Sequence, residues 1–321
     1  NTSYTSNSAA EINTLALNNK QLTLGSADSD LTVKDNMTFD TSSEKILVGS
    51  AALNLRGGFV MQDGLVSSTG GLVSLEKGGQ QSGGIIDVSG STLNLGDDFS
   101  KTAGTLTTTI DGTTLELAES LTLTSDTSLG VKTLNSNDKI LTLGSESTDL
   151  TVNDPITLND TGEMILTRSA DFTLNGLLTV VKGQFSSDNG TVQFNGGLAQ
   201  SEGQIYINNT ELVLGSDVNK DGGNLQTSTS SVTAVSNLTI SSNDNLSVTT
   251  INLGANTLSL GSASSNLFIS ETLSLEDANG ALLTGNADLT VEGDVKLSDG
   301  KLSSTGGVLL FRKGGLQSGT F

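Results

Sequence analysis

One short motif occurs three times in this chain, and the spacing of its copies constrains the fold more than any other feature. Each copy is a run of alternating apolar and polar residues that ends in Gly-Ser. The copies, which begin 119 and then 117 residues apart, are Gln21-Leu-Thr-Leu-Gly-Ser26, Ile140-Leu-Thr-Leu-Gly-Ser145 and Thr257-Leu-Ser-Leu-Gly-Ser262. A tandem repeat of this length indicates a chain built by repetition of one structural unit.

A second set of matches has the same spacing and sets the limits of the repeats: Ser67-Ser-Thr-Gly-Gly71, Ser186-Ser-Asp-Asn-Gly190 and Ser303-Ser-Thr-Gly-Gly307. We assign a single continuous solenoid over residues 1–321, with sequence repeats at 1–14 (partial), 15–133, 134–250 and 251–321 (partial). Because the first and last of these match only part of a repeat, we expect the solenoid to continue, in a longer tandem array or by end-to-end self-association.

The apolar residues within a repeat alternate with Thr, Ser or Asn in very short runs, such as Leu22-Thr-Leu24, Leu31-Thr-Val33 and Leu93-Asn-Leu95. Alternation with a period of two predicts half-buried β-strands. The runs are separated by Gly, Asn, Asp and Ser, which favour turns. No window carries the apolar spacing of a helix, so the sequence predicts an all-β protein.

The spacing of the strands predicts a right-handed parallel β-helix, or β-solenoid. The regular recurrence of one apolar position suggests five coils of about 24 residues per repeat, each with three short strands. The recurring positions are Leu22, Ile46, Leu72, Leu93, Leu115 and Leu141. The leucines expected to point inward are Leu22, Leu24, Leu141, Leu143, Leu258 and Leu260. A string of β-sandwiches, one per repeat, is the alternative, but its strands are usually longer than those predicted here.

The composition excludes several classes of function. The formal net charge is −20, which disfavours contact with nucleic-acid phosphates and with anionic lipid headgroups. No apolar run is long enough to insert into a membrane as a helix. Cysteine and histidine are absent, so neither disulfides nor zinc sites of the Cys/His type can form.

The Leu-x-Leu strands, the Gly-Gly-Leu and Gly-Ser turns and the acidic, cysteine-free composition resemble the β-helical shafts of large bacterial surface exoproteins. The resemblance is to filamentous-haemagglutinin-like exoproteins and autotransporter adhesin passengers. It implies a structural or adhesive rod or filament outside the cell, on the cell surface. The partners expected are further copies of the solenoid, surface glycans, or a receptor on a host or neighbouring cell.

We expect no enzymatic activity, because the carboxylates are scattered through turns and no acid-base set recurs between repeats. The alternative is a carbohydrate-active β-helix, either a polysaccharide lyase or hydrolase or a segment of a phage tailspike. Such an enzyme would need two or three carboxylates about 5–10 Å apart in a groove.

Asp217-Val-Asn-Lys-Asp-Gly222 is the sharpest local motif. Its first, third and fifth residues, Asp217, Asn219 and Asp221, match the opening of an EF-hand-like calcium loop. The twelfth position, which should be a bidentate acid, is Ser228. An ordinary Asx-rich turn is therefore the favoured interpretation, and calcium is the alternative and the one cofactor that the sequence suggests.

Two glycine-rich stretches, Lys77-Gly-Gly-Gln-Gln-Ser-Gly83 and Lys313-Gly-Gly-Leu-Gln-Ser-Gly319, are similar to phosphate-binding loops. Neither continues with the Gly-Lys-Ser/Thr and helix start that cradle an anion. We interpret both as wide turns in which glycine supplies a positive φ.

Overall fold

The computed structural model describes residues 1–227 and 229–317, with the side chains of 316 and 317 left out, and these residues form strands and turns without a helix. They divide into two compact units, Asn1–Asp154 and the residues from Pro155 onward. Each unit is a parallel β-solenoid, and together they contain about 15 turns. The predicted fold class is confirmed. Continuity of one solenoid across both units stays a prediction, as does the right hand of the coil, which parallel crossovers strongly prefer.

The first unit contains nineteen strands, most of them three or four residues long. They are β1 (Thr2–Tyr4), β2 (Ala10–Ile12), β3 (Gln21–Leu24), β4 (Leu31–Val33), β5 (Met37–Phe39), β6 (Lys45–Gly49), β7 (Ala52–Leu55), β8 (Phe59–Met61), β9 (Leu65–Ser68), β10 (Leu72–Leu75), β11 (Gly79–Asp87), β12 (Thr92–Leu95), β13 (Phe99–Thr107), β14 (Thr114–Leu117), β15 (Leu121–Thr124), β16 (Leu129–Val131), β17 (Thr133–Asn135), β18 (Ile140–Leu143) and β19 (Leu150–Val152).

The second unit contains the remaining strands of the described residues. They are β20 (Ile156–Leu158), β21 (Met164–Arg168), β22 (Phe172–Leu174), β23 (Leu178–Val180), β24 (Gln184–Ser187), β25 (Thr191–Phe194), β26 (Leu198–Gln200), β27 (Gln204–Ile207), β28 (Glu211–Leu214), β29 (Val218–Lys220), β30 (Asn224–Gln226), β31 (Ser231–Ala234), β32 (Leu238–Ser242), β33 (Leu246–Val248), β34 (Ile251–Asn252), β35 (Thr257–Leu260), β36 (Leu267–Ile269), β37 (Leu273–Leu275), β38 (Ala281–Gly285), β39 (Leu289–Val291), β40 (Val295–Leu297), β41 (Lys301–Ser304), β42 (Leu309–Phe311) and β43 (Gly315–Gln317).

Each coil contributes one strand to each of three faces, and strands one coil apart pair in parallel. In the first unit one face runs through β2, β4, β7, β10, β12, β14 and β17. The nine-residue strands β11 and β13 turn a corner, so that one end of each pairs on one face and the other end on the next. In the second unit one face runs through β20, β23, β26, β29, β32, β35, β38 and β41.

Inward side chains stack in columns along each face and form the core. One column consists of Val33, Leu55, Leu75, Leu95 and Leu117, each at most 1% exposed. Burial of such a side chain contributes about 1.5–3 kcal/mol, so a column of five is a large share of local stability. In the second unit Phe185 packs between Phe172 and Phe194, with ring centroids 5.3 Å apart in both pairs.

The predicted inward leucines are confirmed with one partial exception. Leu24, Leu141, Leu143, Leu258 and Leu260 are buried, whereas Leu22 is half-buried. Leu22 lies opposite Thr2 of β1, a small polar residue that fills less of the core than the leucine opposite Leu141.

The predicted coil length of about 24 residues is wrong, because the coils are roughly 20 residues long. The predicted spacing joins Ile46 to Leu72, which lies on a different face from Ile46. The true partner of Ile46 on the next coil is Val66, twenty residues on. A longer coil of the predicted length does occur, between Gln21 and its partner Lys45, where the turn after β5 is longer.

A repeat is therefore not a whole number of coils. From β3 the chain passes β4 and β5 on the other two faces, and five full coils then lead from β5 through β8, β11, β13 and β15 to β18. Since β18 is the repeat equivalent of β3, a repeat spans five and two-thirds coils rather than five. Equivalent strands of successive repeats accordingly fall on different faces. In the second unit the equivalents of β5 and β3, which are β20 and β35, share one face.

We predict that Leu141→Asp disrupts the coils around β18, because an unpaired buried carboxylate costs several kcal/mol. Asn54→Asp is the control, since it puts a carboxylate on the outer side of β7, where it is half-exposed. Urea denaturation should show a clear loss of unfolding free energy for the first variant and little change for the second. Equal stability of the two variants would show that Leu141 does not point into the core.

Candidate functional site

Asp217, Asn219 and Asp221 lie on and beside strand β29 rather than in a loop. Their side chains alternate outward along an extended backbone and are exposed. Positions two apart on a strand are separated by about 6.6 Å, so the three oxygens are spread over roughly 13 Å. An EF-hand loop instead curls its ligands around one ion. Within the described residues no group of three or more acidic side chains is placed to hold a metal ion.

The structure assigns Asp217 a different role. Its Oδ1 accepts a hydrogen bond of 2.6 Å from the backbone N–H of Thr239, on the next coil. Asp98, the equivalent residue one repeat earlier, accepts the same bond from the N–H of Thr122, at 2.5 Å. The recurring acid therefore satisfies a backbone donor at a corner between coils. Ser228, the twelfth position of the calcium motif, lies outside the described residues, and the calcium site stays a prediction.

The first glycine-rich stretch is only in part the wide turn that the sequence predicts, because a turn ends at Lys77 and Gly78 whereas residues 79–83 belong to strand β11. In the second stretch Gly314 has a positive φ, and Ser318 and Gly319 lie outside the described residues. Gly78 has a φ of +60°, and a Cβ there would lie 2.0 Å from the carbonyl oxygen of Asp98. Both the backbone conformation and the close approach of the neighbouring coil therefore require glycine at this position.

The Gly-Ser ending of the repeated motif forms a buried hydroxyl cluster between coils. In its second copy Ser145 Oγ lies 2.7 Å from Thr148 Oγ1, and Thr148 Oγ1 also bonds to the backbone N–H and C=O of Ser125 on the preceding coil. A Cβ on Gly144 would lie 2.1 Å from Thr124 Oγ1, so glycine is needed for the approach. The same cluster recurs at Ser26 with Ser29 and at Ser262 with Ser265.

Two buried lysines lie at equivalent positions in the core. Lys101 is 1% exposed and its Nζ bonds to Asp126, while Lys220 is 2% exposed and its Nζ donates to Asn243 Oδ1 and Asp244 Oδ2, both at 2.7 Å. Each lysine crosses the core with its alkyl stem and reaches polar groups at a corner.

A buried glutamine precedes each buried lysine on the adjacent coil. Gln81 is opposite Lys101, and Gln200 is opposite Lys220. Each amide donates to two corner carbonyls, those of Gly84 and Thr105 in the first case. The Oε1 atoms of both glutamines are buried without a partner among the described residues. A buried amide oxygen of this kind lowers stability unless a water molecule reaches it.

Exposed charges also pair across coils. Lys34 Nζ lies 2.7 Å from Glu11 Oε1, and this hydrogen bond and the nearby positive charges of Lys34 and Arg56 lower the pKa of Glu11. Because the pKa is lowered in the folded state, the pair stabilises the protein above the unfolded pKa of Glu11. That contribution is lost as the pH falls through the folded pKa. It is small, since both side chains are about half-exposed and screened by solvent.

The second unit carries an outward-facing patch of amides around the exposed side of β24, β27 and β30. We call it the amide face and define it as Gln184, Gln204, Tyr206, Asn224 and Gln226. Gln184, Gln204 and Asn224 are aligned across three successive coils, and Tyr206 pairs in register with Gln226. An open groove of about 530 Å³ lies beside the first of these columns, with Lys182 and Glu202 among its lining residues.

No motif in the sequence marks the amide face. Its residues come from three runs twenty residues apart, and each run alone reads as an ordinary alternating strand. Alternation does show that Gln204 and Tyr206 point outward. A coil of twenty residues places Gln184 beside Gln204, whereas the longer coil predicted from the sequence does not.

This chain matches no known protein family, no curated protein and no solved structure. Within the described residues no helix could span a membrane.

We predict that Asp217→Ala lowers the free energy of unfolding by about 0.5–1 kcal/mol, because the exposed backbone N–H of Thr239 exchanges a charged acceptor for water. Thermal melts of wild type and variant should be compared in calcium and in chelator. The loss should be the same in both, with the wild-type midpoint unmoved by calcium. Stabilisation of the wild type alone by calcium would instead establish the metal site.

We also predict that Asp126→Ala destabilises the protein more than Asp244→Ala, with a loss of about 2 kcal/mol against about 1 kcal/mol. Lys220 keeps its bond to Asn243 when Asp244 is removed, whereas Lys101 loses the carboxylate that neutralises it. Both carboxylates are partly exposed, which keeps the losses below those of a fully buried pair. Denaturant titration of both variants measures the difference, and equal losses would contradict it.

Proposed function

We propose that this chain is a structural or adhesive repeat protein that forms a rod or filament on the outside of the cell. The supporting observation is the junction between repeats, which recurs in the same register. Thr2 pairs with Leu22, Leu121 with Leu141, and Leu238 with Leu258. Each junction brings the last part of one repeat against the first strand of the next. Further repeats can therefore be added head to tail without a new kind of contact.

The side chains around the coils fit an extracellular setting. Rigidity comes from backbone pairing and from the buried columns, so a chain without cysteine needs no disulfide in an oxidising compartment. Thr, Ser and Asn occupy most outward strand positions, and the formal charge of −20 keeps a long apolar core in solution. In this proposal the partners are further solenoid repeats, together with surface glycans or a receptor on a neighbouring cell.

We predict that insertion of a second copy of residues 134–250 after residue 250 gives a folded protein with a longer solenoid. Five and two-thirds coils at a spacing of about 4.8 Å add roughly 27 Å. Electron microscopy of the filaments, or small-angle scattering of the isolated protein, measures the change in length.

The control is an insertion of residues 134–240, which stops inside β32 and omits β33, so that it offsets the register that the junction requires. It should aggregate or unfold. If both insertions fold equally well, the recurring junction does not determine how repeats join. Antibody labelling of intact and permeabilised cells tests location separately, and labelling that needs permeabilisation would contradict an extracellular rod.

A further inference from the structure

We propose that the amide face binds a neutral saccharide chain. The inference deepens the proposed function and rests on it for the setting in which a saccharide is met. Binding by the purified protein and location on the cell are measured separately, so that either can fail alone.

The strands hold the amide face in a fixed geometry. Tyr206 projects from β27 between Ser186 and Gln226 on the neighbouring coils. Beneath it, on the inner side of the same strands, Phe185 and Ile205 are fully buried. Side chains on packed strands are positioned more sharply than side chains on loops, so this face is prepared for a ligand before binding.

Carboxamides and a phenol provide both kinds of hydrogen-bonding group. The Tyr206 hydroxyl donates to Gln204 Oε1 at 2.8 Å, which orients that amide and directs its NH₂ group away from the tyrosine. Gln184, in the adjacent position one coil earlier, adds a second amide with donors and an acceptor. Sugar hydroxyls also donate and accept at once, so a row of amides matches a row of hydroxyls without a charge on either side.

The groove adds an apolar contact and room for a chain. Met164 and Gln184 line it on neighbouring coils, and Gly183 and Gly203 leave its floor without side chains. A Cβ on Gly183 would lie 2.5 Å from the carbonyl oxygen of Glu163. The half-exposed Tyr206 ring offers an apolar surface against which the C–H face of a sugar ring can stack.

Charge and backbone pairing favour a neutral saccharide over other ligands. The rim carries one charge of each sign, Lys182 and Glu202, within a strongly acidic chain that repels polyanions. A peptide that adds a strand needs an open sheet edge, whereas the backbone of β27 is already paired on both sides, with β24 and β30.

The equivalent face of the preceding repeat serves as an internal comparison. There Leu65, Ile85 and Asp87 stand where Gln184, Gln204 and Tyr206 stand in the second unit. The backbone pairing is the same, but neither the amides nor the aromatic ring is present. The proposed saccharide site therefore depends on the side chains that this repeat carries and not on the coil geometry alone.

The test uses tyrosine fluorescence. The chain has no tryptophan and two tyrosines, Tyr4 and Tyr206, so Tyr4→Phe leaves Tyr206 as its one fluorophore. This variant should be titrated with neutral gluco-, manno- and galacto-oligosaccharides, with an acidic oligosaccharide and an extended peptide as comparators. Saturable change with at least one neutral oligosaccharide is expected, and calorimetry on the wild type should give the same affinity.

Substitutions then locate the site. These affinities are measured by calorimetry, because variants without Tyr206 lose the fluorescence signal. Tyr206→Ala should weaken binding tenfold or more, Gln204→Ala severalfold, and Tyr206→Phe less than Tyr206→Ala, since it keeps the ring. Tyr4→Ala should leave the affinity unchanged, and thermal melts should show that all variants fold. The proposal is overturned if no neutral oligosaccharide binds at millimolar concentration, if Tyr206→Ala binds as well as wild type, or if the comparators alone bind.

Discussion

Parallel pairing between successive coils is the interaction on which the rest of this structure depends. A strand of three or four residues has too little surface to be stable alone, and it gains stability only when coils stack above and below it. Stacking also places like positions in line, so that inward residues must fit a column. Val33, Leu55 and Leu75 illustrate the result, with nearly complete burial in one column. Outward residues are free of this constraint and can differ from coil to coil.

Because a repeat is not a whole number of coils, residues that match between repeats in the sequence do not lie at matching positions around the coil. Since five and two-thirds coils make one repeat, the strands that begin successive repeats lie on different faces of the coil, as β3 and β18 do in the first unit. The amide face, which is formed by β24, β27 and β30, lies on one face of the second unit. Surface properties of such an array therefore follow from the coil register, and the period of the sequence is a poor guide to them.

The sequence predicted the fold class because alternation and repetition are local and survive variation in the turns. The burial of Leu141 and Leu258 followed from the same pattern. The coil length could not be read in the same way, because all three faces carry similar Leu-x-Leu runs and nothing local distinguishes them. The error then hid the alignment of Gln184 with Gln204. The hydrogen bond of Asp217 could not be predicted from the sequence, because its partner, the N–H of Thr239, comes from the next coil.

The buried polar residues favour one pairing of the coils over the similar pairings that the apolar columns alone would allow. Consider a slip of one coil, in which each strand pairs with a strand of the wrong coil. Most apolar columns would still be filled, because leucine, valine and isoleucine replace one another at modest cost. The same slip would separate Lys220 from Asn243 and Asp244 and leave an uncompensated ammonium in the core, which costs several kcal/mol. It would also pull Thr148 from the backbone groups of Ser125. The apolar columns thus supply most of the stability. The buried lysines and hydroxyls lower the stability of any arrangement in which they are unpaired, and they therefore favour the correct pairing of coils.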